Sequence, residues 1–271
     1  MNITLIRDKS IGKVLYIVEG GKTEPYILHK LFTKVFDYQV EMIIRDKGYH
    51  KYNSKENATS QVFIINAEES NIKNIDKDNA FLDNLFRELI ENYDFDIDNS
   101  AMFYLFDRDN QSNTDSEMIK QLISSLTNSR ENKNYLRQGL LLLSYPSIES
   151  FTLSNFYKDS FSEKFKLGDD LKSFLHENNI NHQNITEDTL VIATEELFKA
   201  FSDIDIDNYD IDNFGYCNMD IFNYEESNFS KEEVYQALSL VCISLIDLGL
   251  IEIEYPAISK MKIAGTTANF V

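Results

Sequence analysis

The feature that most constrains the fold is a regular alternation of short apolar strands with helical segments between residues 12 and 157. The strand candidates are residues 12–18, 40–45, 61–66, 101–106 and 139–143. Between them, residues 24–35, 81–92, 116–126 and 148–157 carry helical patterns or helix starts. This alternation predicts an α/β fold with a mostly parallel sheet flanked by helices. Right-handed crossovers would place the carboxyl ends of these strands along one edge.

The alternation stops near residue 158, and the rest of the chain has a different character. Residues 170–177, 186–201 and 231–248 are predicted helices with polar connections, and residues 251–259 suggest an edge strand that Pro256 would end. Residues 46–60, in the first half, are predicted to be a polar loop. The expected organisation is an α/β domain over residues 1–157 and a mainly helical C-terminal region, residues 158–271, packed on it.

Acidic residues follow two of the predicted strands. Glu19 follows VLYIV, and Asp107 and Asp109 follow AMFYLF. If the two strands are neighbours, these three carboxylates converge and repel each other unless a cation holds them, which predicts a Mg²⁺ site. The alternative is that Asp107 and Asp109 cap the following turn, as short acidic side chains often do. Arg108 would point to the opposite face of an extended strand, which favours a structural salt bridge.

The residues after Glu19 suggest a phosphate-binding turn. Gly20 and Gly21 would let the backbone approach a ligand, and amides at the start of the next helix can hold an anion. Lys22 would contact a phosphate as a point charge, or it is a solvated loop lysine. Thr23 is predicted to be the helix N-cap, with Pro25 in the first turn. The spacing of a Walker loop is absent.

Charge and composition restrict the possible partners. The net charge is −19, with 45 acidic against 26 basic residues. A chain this acidic is poorly suited to nonspecific binding along a phosphate backbone. A nucleic-acid contact would therefore be local, metal-assisted or shared with a partner. Neither a signal peptide nor a membrane-length apolar run is recognisable, so we expect a cytoplasmic protein without membrane contact. Cys217 and Cys242 are expected to be buried, reduced thiols.

Three motifs together resemble a known family. They are Glu19-Gly20-Gly21-Lys22-Thr23-Glu24-Pro25, Asp107-Arg108-Asp109 and Pro146-Ser147-Ile148-Glu149. In order and placement they resemble the TOPRIM fold, and within it the RloB-like group of prokaryotic defence proteins. The resemblance implies a Rossmann-like sheet in which Glu19 is a general base or metal ligand and Asp107 and Asp109 hold Mg²⁺. Glu149 would be a further metal ligand or a structural cap.

These observations lead to one main functional hypothesis. It is a Mg²⁺- or Mn²⁺-dependent nuclease of prokaryotic anti-phage defence, of the abortive-infection kind. The resemblance alone suggests RNA such as tRNA, or DNA, as substrate. The negative charge suggests that a partner, such as an ATPase sensor, delivers or restrains the enzyme, and a homodimer would suit a nuclease that cuts two strands. Two alternatives stay open: a noncatalytic acidic interaction subunit of a defence complex, and a metal-dependent nucleotide or phosphate-ester hydrolase.

Overall fold

A computed structural model of the chain describes residues 1–44, 48–67, 71–76, 80–131, 138–206, 211 and 214–254. The strands are β1 (Asn2–Leu5), β2 (Lys13–Val18), β3 (Tyr38–Ile44), β4 (Tyr49–Ser54), β5 (Gln61–Asn66), β6 (Ala101–Asp107), β7 (Thr127–Asn128), β8 (Gly139–Tyr145), β9 (Lys164–Phe165), β10 (Tyr235–Gln236), β11 (Leu238–Ser239) and β12 (Ile251–Glu254). The helices are α1 (Thr23–Lys30, continued by a π-helical turn, Leu31–Val35), α2 (Ala80–Tyr93), α3 (Ser116–Ser125), α4 (Glu149–Phe156), α5 (Gly168–Glu177), α6 (Glu187–Asp203), α7 (Phe214–Glu232) and α8 (Val241–Asp247). Short 3-10 turns lie at Ile72–Ile75, Ser160–Ser162 and His182–Asn184.

The main sheet positions the candidate site. Within the described residues its strand order is β11-β8-β6-β2-β5-β4-β3, and β7 also pairs with β8. The four middle strands, β5, β2, β6 and β8, are parallel to one another, whereas β4, β7 and β11 are antiparallel to their neighbours. All of β8 and nearly all of β2 are buried, as expected for strands covered by helices on both faces. The predicted class, α/β with a mixed, mostly parallel sheet flanked by helices, is confirmed.

The C-terminal half contributes to the same hydrophobic core. Helix α6 packs on α4, α7 packs on α3, and α8 packs on β8. Strand β11 extends the main sheet, while β12 pairs with β1 in a separate two-stranded sheet. Core side chains therefore come from both parts of the chain, for example Leu15, Leu141, Leu190 and Leu245. The division into 1–157 and 158–271 stays a prediction.

Three local predictions are wrong. The predicted loop 46–60 contains β4, in which the buried side chains Tyr49 and Tyr52 anchor a strand whose other residues are largely polar. The predicted helix 231–248 is instead the end of α7 followed by β10, β11 and α8, because Glu233 adopts a left-handed backbone conformation with φ 57° that ends α7. Thr23 is the first helical residue rather than the cap, which is Lys22 and makes no side-chain capping bond.

Other predictions can be compared directly with the described residues. Predicted strands 12–18 and 101–106 correspond to β2 and β6, and Pro25 lies in the first turn of α1. Residues 45–47 and Pro256 lie outside the described part. Cys217 and Cys242 are buried thiols outside any disulfide, as expected, and burial raises the pKa of Cys242 to about 12. None of the helices in the described part has the length and apolar character needed to span a bilayer.

Candidate functional site

The carboxyl ends of the parallel strands meet at one edge of the sheet. Val18, the last residue of β2, pairs with Leu105 of β6 on one side and with Asn66 of β5 on the other. Glu19 and Asp107 therefore leave neighbouring strands at the same edge. Strand β8 continues the row beside β6, and the chain then enters α4 at Glu149. The predicted convergence of the two acidic motifs is observed.

These strand ends surround an open cavity of about 500 Å³. Six of the seven residues predicted for the site line it: Glu19, Gly20, Gly21, Lys22, Asp107 and Glu149. The remaining lining residues are Thr23, Glu24, Asn66, Ile148 and Lys172. Asp109, the seventh predicted residue, does not line the cavity. The cavity is thus acidic at its base, with a lysine from each half of the chain.

Glu19 is held by groups from the neighbouring strand and loop. Its Oε2 accepts hydrogen bonds from the backbone N–H of Asp107 at 2.8 Å and from Nδ2 of Asn113 at 3.0 Å. Burial raises the pKa of Glu19 to about 7, and the negative charges of Glu24 and Asp109 act in the same direction. The two hydrogen bonds oppose this rise without cancelling it.

Asp107 and Glu149 line the cavity together with Glu19. Asp107 Oδ1 accepts a hydrogen bond from the backbone N–H of Ile148 at 2.8 Å. Burial, followed by the charges of Glu24, Glu19 and Glu149, raises the pKa of Asp107 well above its usual value. Glu149 is 7% exposed, and its Oε2 has no hydrogen-bond partner among the described residues. An unpaired buried carboxylate oxygen beside like charges is costly unless a cation or proton compensates it.

Asp109 has a different environment from Asp107. Its Oδ1 accepts from the backbone N–H of Gln111 at 2.8 Å, and its Oδ2 accepts from the N–H of Gly168, the first residue of α5, at 3.1 Å. The turn-capping alternative therefore describes Asp109, while the Asp107 carboxylate lines the cavity. Asp109 remains close enough to add to the negative potential at Glu19.

Arg108 is almost completely buried and connects the site to α7. Its Nε and Nη2 donate to the two carboxylate oxygens of Glu226 at 2.8 and 2.9 Å. Nη1 donates to the Asn113 carbonyl at 2.6 Å, and Nη2 also donates to Ser116 Oγ at 2.7 Å. The predicted structural salt bridge is confirmed, and it holds the segment between the two aspartates in place.

Glu24 is a site residue that the sequence did not single out. Its Oε1 accepts a hydrogen bond from the backbone N–H of Gly20 at 2.9 Å, so the carboxylate folds back over the turn. A methyl group at Gly20 would lie 2.5 Å from Glu24 Oε2, so an alanine there would displace the Glu24 carboxylate. Burial raises the pKa of Glu24, and the hydrogen bonds that it accepts from the backbone N–H groups of Gly20 and of Glu24 itself partly oppose this rise.

Three further residues were missed. Asn66 ends β5, so the strand-end rule that found Glu19 could have found it. Asn113 and Lys172 carry no such signal, because each is brought to the site by the fold. Partial burial lowers the pKa of Lys172, but Glu149, Asp169 and Asp107 outweigh that effect, and the net shift is upward.

Comparisons with protein families, characterised proteins and solved structures give no match for this chain.

The donor set around the cavity fits a hard divalent cation. Its acidic ligands are all oxygen atoms, which Mg²⁺ prefers over nitrogen and sulfur. In the described residues, no three or more Asp, Glu, His or Cys side chains are arranged as a ready-made ion cage. Backbone amides hold several carboxylates apart: Asp107 N–H binds Glu19, Gly20 N–H binds Glu24, and Ile148 N–H binds Asp107. Binding an ion would therefore require these side chains to shift toward one another.

Proposed function

We propose that this chain is a Mg²⁺- or Mn²⁺-dependent nuclease that hydrolyses phosphodiesters at the acidic cavity. The observation that carries the proposal is the convergence of four carboxylates, three buried and that of Asp107 half-buried, with two lysines at the carboxyl edge of a parallel sheet. The residues concerned are Glu19, Glu24, Asp107, Glu149, Lys22 and Lys172. Ligand sites in open α/β sheets lie at this edge. The cavity has carboxylates that suit a divalent cation and lysines that suit a phosphate, so it is suited to a phosphate that binds together with the cation.

The residues have separable roles in this proposal. Glu19, Asp107 and Glu149 would hold the cation, with Glu19 alternatively serving as the general base. When bound, the ion would supply Lewis acidity at the phosphate and a water of lowered pKa. Lys22 and Lys172 would bind phosphate oxygens from opposite sides of the cavity. Asp109, through Gly168, would position α5 and so Lys172.

The geometry also supports a TOPRIM-like assignment. The glutamate motif and the Asp-Arg-Asp motif follow two adjacent parallel strands, and the third acidic motif follows the next strand of the sheet. We further propose the RloB-like relationship, a role in anti-phage defence, and RNA such as tRNA, or DNA, as substrate. The motif resemblance, rather than the geometry, supports this second group of proposals. The net charge of −19 supports a partner, such as an ATPase sensor, that brings nucleic acid to the site.

The decisive experiment is a cleavage assay with labelled tRNA, plasmid DNA and nucleotides in Mg²⁺, in Mn²⁺ and in EDTA. Replacing a residue that only hydrogen-bonds a metal ligand typically lowers activity by roughly 10–100-fold. Asp107→Asn and Glu19→Gln, which change proposed ligands themselves, should lower cleavage by more than that. Glu195→Gln, on an exposed face of α6, is the matched control and should cleave like the native protein. Full cleavage by folded Asp107→Asn would contradict the proposal. Hydrolysis of nucleotides alone would favour the phosphate-ester hydrolase.

A binding measurement separates the enzyme from a noncatalytic subunit. A cation that binds only the folded state stabilises it by about 2.7 kcal/mol at a hundred times its dissociation constant. Mg²⁺ or Mn²⁺ should therefore raise the melting temperature of the native protein. The Asp107→Asn, Asp109→Asn double variant should not respond. A native protein that shows neither a metal-dependent shift nor cleavage would instead be an acidic interaction subunit.

A further inference from the structure

A second cavity borders the acidic one. It has a volume of about 200 Å³ and shares Glu149 and Lys172 with the first cavity, so the two are adjacent. The remaining lining residues are Thr152, Leu175, His176, Ile180, Asn181 and His182. Nothing in the proposed metal chemistry uses this space.

Secondary structure accounts for how these residues face one another. Thr152 follows Glu149 by three residues on α4, which places both on one side of that helix. Lys172, Leu175 and His176 share one side of α5 for the same reason. The chain then turns back through a hydrogen bond from Ile180 N–H to the Leu175 carbonyl at 2.9 Å. The second cavity is therefore built on regular elements.

Two buried polar atoms in this lining lack a partner. Thr152 is 1% exposed, and its Oγ1 makes no hydrogen bond within the described part of the chain. The same is true of Glu149 Oε2. Most buried polar groups in folded proteins are paired, because an unpaired one carries its full desolvation penalty. Both atoms belong to residues that line the second cavity, and a ligand with hydrogen-bonding groups would pair with them once the side chains turn toward it.

The rest of the lining suits a flat ring. Leu175 and Ile180 are apolar, and His176 and His182 present imidazole rings. The His182 ring is held edge-on by Tyr26 of α1, with ring centroids 4.9 Å apart. Apolar walls with a few polar groups are typical of small-molecule sites, but those usually enclose ~300–1,000 Å³. The smaller volume is suited to a single ring system rather than a whole dinucleotide.

We infer that the second cavity binds the nucleobase of the nucleotide adjoining the scissile phosphate. This inference rests on the proposed function, because the acidic cavity must first hold that phosphate. Lys172, on the border, contacts the phosphate that links the two cavities. Thr152 Oγ1 hydrogen-bonds the edge of the base, and the base stacks against His182. The C-terminal region thus selects for nucleotides over simple phosphate esters.

Calorimetry on the full chain in Mg²⁺ tests this inference. Ribose 5-phosphate is compared with adenosine, guanosine, cytidine and uridine 5′-monophosphates, which add only the base. Base stacking on an aromatic ring should make at least one nucleotide bind about tenfold more tightly or better. Ile180→Trp, which fills the cavity, should bring the affinity ratio to about one. Thr152→Val, which keeps the side-chain shape, should lower the ratio without lowering the melting temperature.

The outcomes separate this inference from the proposed function. Equal affinity of the native protein for ribose 5-phosphate and all four nucleotides overturns the base site. A ratio of nucleotide to ribose 5-phosphate affinity that does not change in Ile180→Trp also overturns it. In those cases, phosphate binding that needs Mg²⁺ and is lost in Asp107→Asn still supports the metal site. Base-dependent binding that Ile180→Trp removes but that needs neither Mg²⁺ nor Asp107 supports the base site and overturns the metal site. Absence of binding by all five ligands overturns both.

Discussion

Removing the carboxylate of Glu226 should strongly destabilise the protein. Arg108 is 1% exposed and directs two charge-assisted hydrogen bonds at Glu226, which itself is 23% exposed. Removing one partner of a buried ion pair costs about 3–5 kcal/mol, because a buried charge is left uncompensated. Water can reach the Glu226 side, so we expect Glu226→Ala to lie near the lower end, at about 3 kcal/mol. In a chain of this size that is a fall in melting temperature of about 6 °C or more.

Urea unfolding and thermal melts of three variants test this reasoning. Glu232→Ala is the matched control, because its partner Lys164 is exposed and such pairs contribute at most about 1 kcal/mol. The double variant Arg108→Met, Glu226→Leu removes both charges and should recover most of the lost stability. If Glu226→Ala destabilises no more than Glu232→Ala, the pair does not hold the Asp-Arg-Asp segment, and the argument is wrong.

Three further results are expected. In EDTA, burial keeps the pKa of Glu19 at about 7 instead of 4.5, so the folded state retains a proton that the unfolded chain releases. Stability should therefore fall by on the order of 3 kcal/mol as pH rises between these values. Urea titrations at about pH 5 and pH 8 should show a smaller fall for Glu19→Gln than for the native protein. An equal fall in the two proteins would contradict this expectation. Gly20→Ala should lower stability and cleavage because its methyl group would displace the Glu24 carboxylate, whereas Gly21→Ala, with its nearest neighbour 3.4 Å away, should leave stability in urea titrations unchanged. Asp109→Asn should weaken metal-dependent thermal stabilisation less than Asp107→Asn, because backbone amides already occupy Asp109; an equal loss would make Asp109 a direct ligand.

Sequence pattern predicted the strands that carry the site because those strands are buried on both faces. Continuous apolar runs such as β8 are visible without knowledge of their neighbours. The edge of the sheet was harder to predict. In β4, His50 and Lys51 lie between the buried tyrosines and Asn53 follows them, and the segment therefore has the composition of a loop.

Helix α7 was missed for a related reason. Its buried face includes the polar residues Asn218 and Glu225 among Phe214, Ile221 and Phe222, so apolar periodicity is interrupted. The tertiary fold pairs one polar atom of each side chain: Asn218 Nδ2 donates to the Leu141 carbonyl, and Glu225 Oε2 accepts from the N–H of Gln236. Partners so distant in sequence have no local signature.

The candidate site also contains some residues that the sequence could predict and others that it could not. Glu19 and Asp107 were predicted because a strand end has a fixed direction, and any residue that follows it is placed by the sheet. Lys172, 23 residues after Glu149, reaches the cavity only through packing between separate segments, and Asn113 reaches Glu19 in the same way. Their roles depend on the three-dimensional fold and could not be predicted from spacing.

The hydrogen bond from Gly168 to Asp109 has a consequence for the smallest piece of the chain that can work. Helix α5 begins at that contact, and it also presents Lys172 and His176 to the two cavities. The positive end of the helix dipole faces Asp109, so the acidic motif and the helix stabilise each other. A fragment ending at residue 157 would keep Glu19, Asp107 and Glu149 but would lose Lys172, the α5 wall of the second cavity and the amide that holds Asp109. The smallest unit that could carry the proposed activity therefore extends through α5, and a boundary drawn where the strand-helix alternation ends would cut through the candidate site.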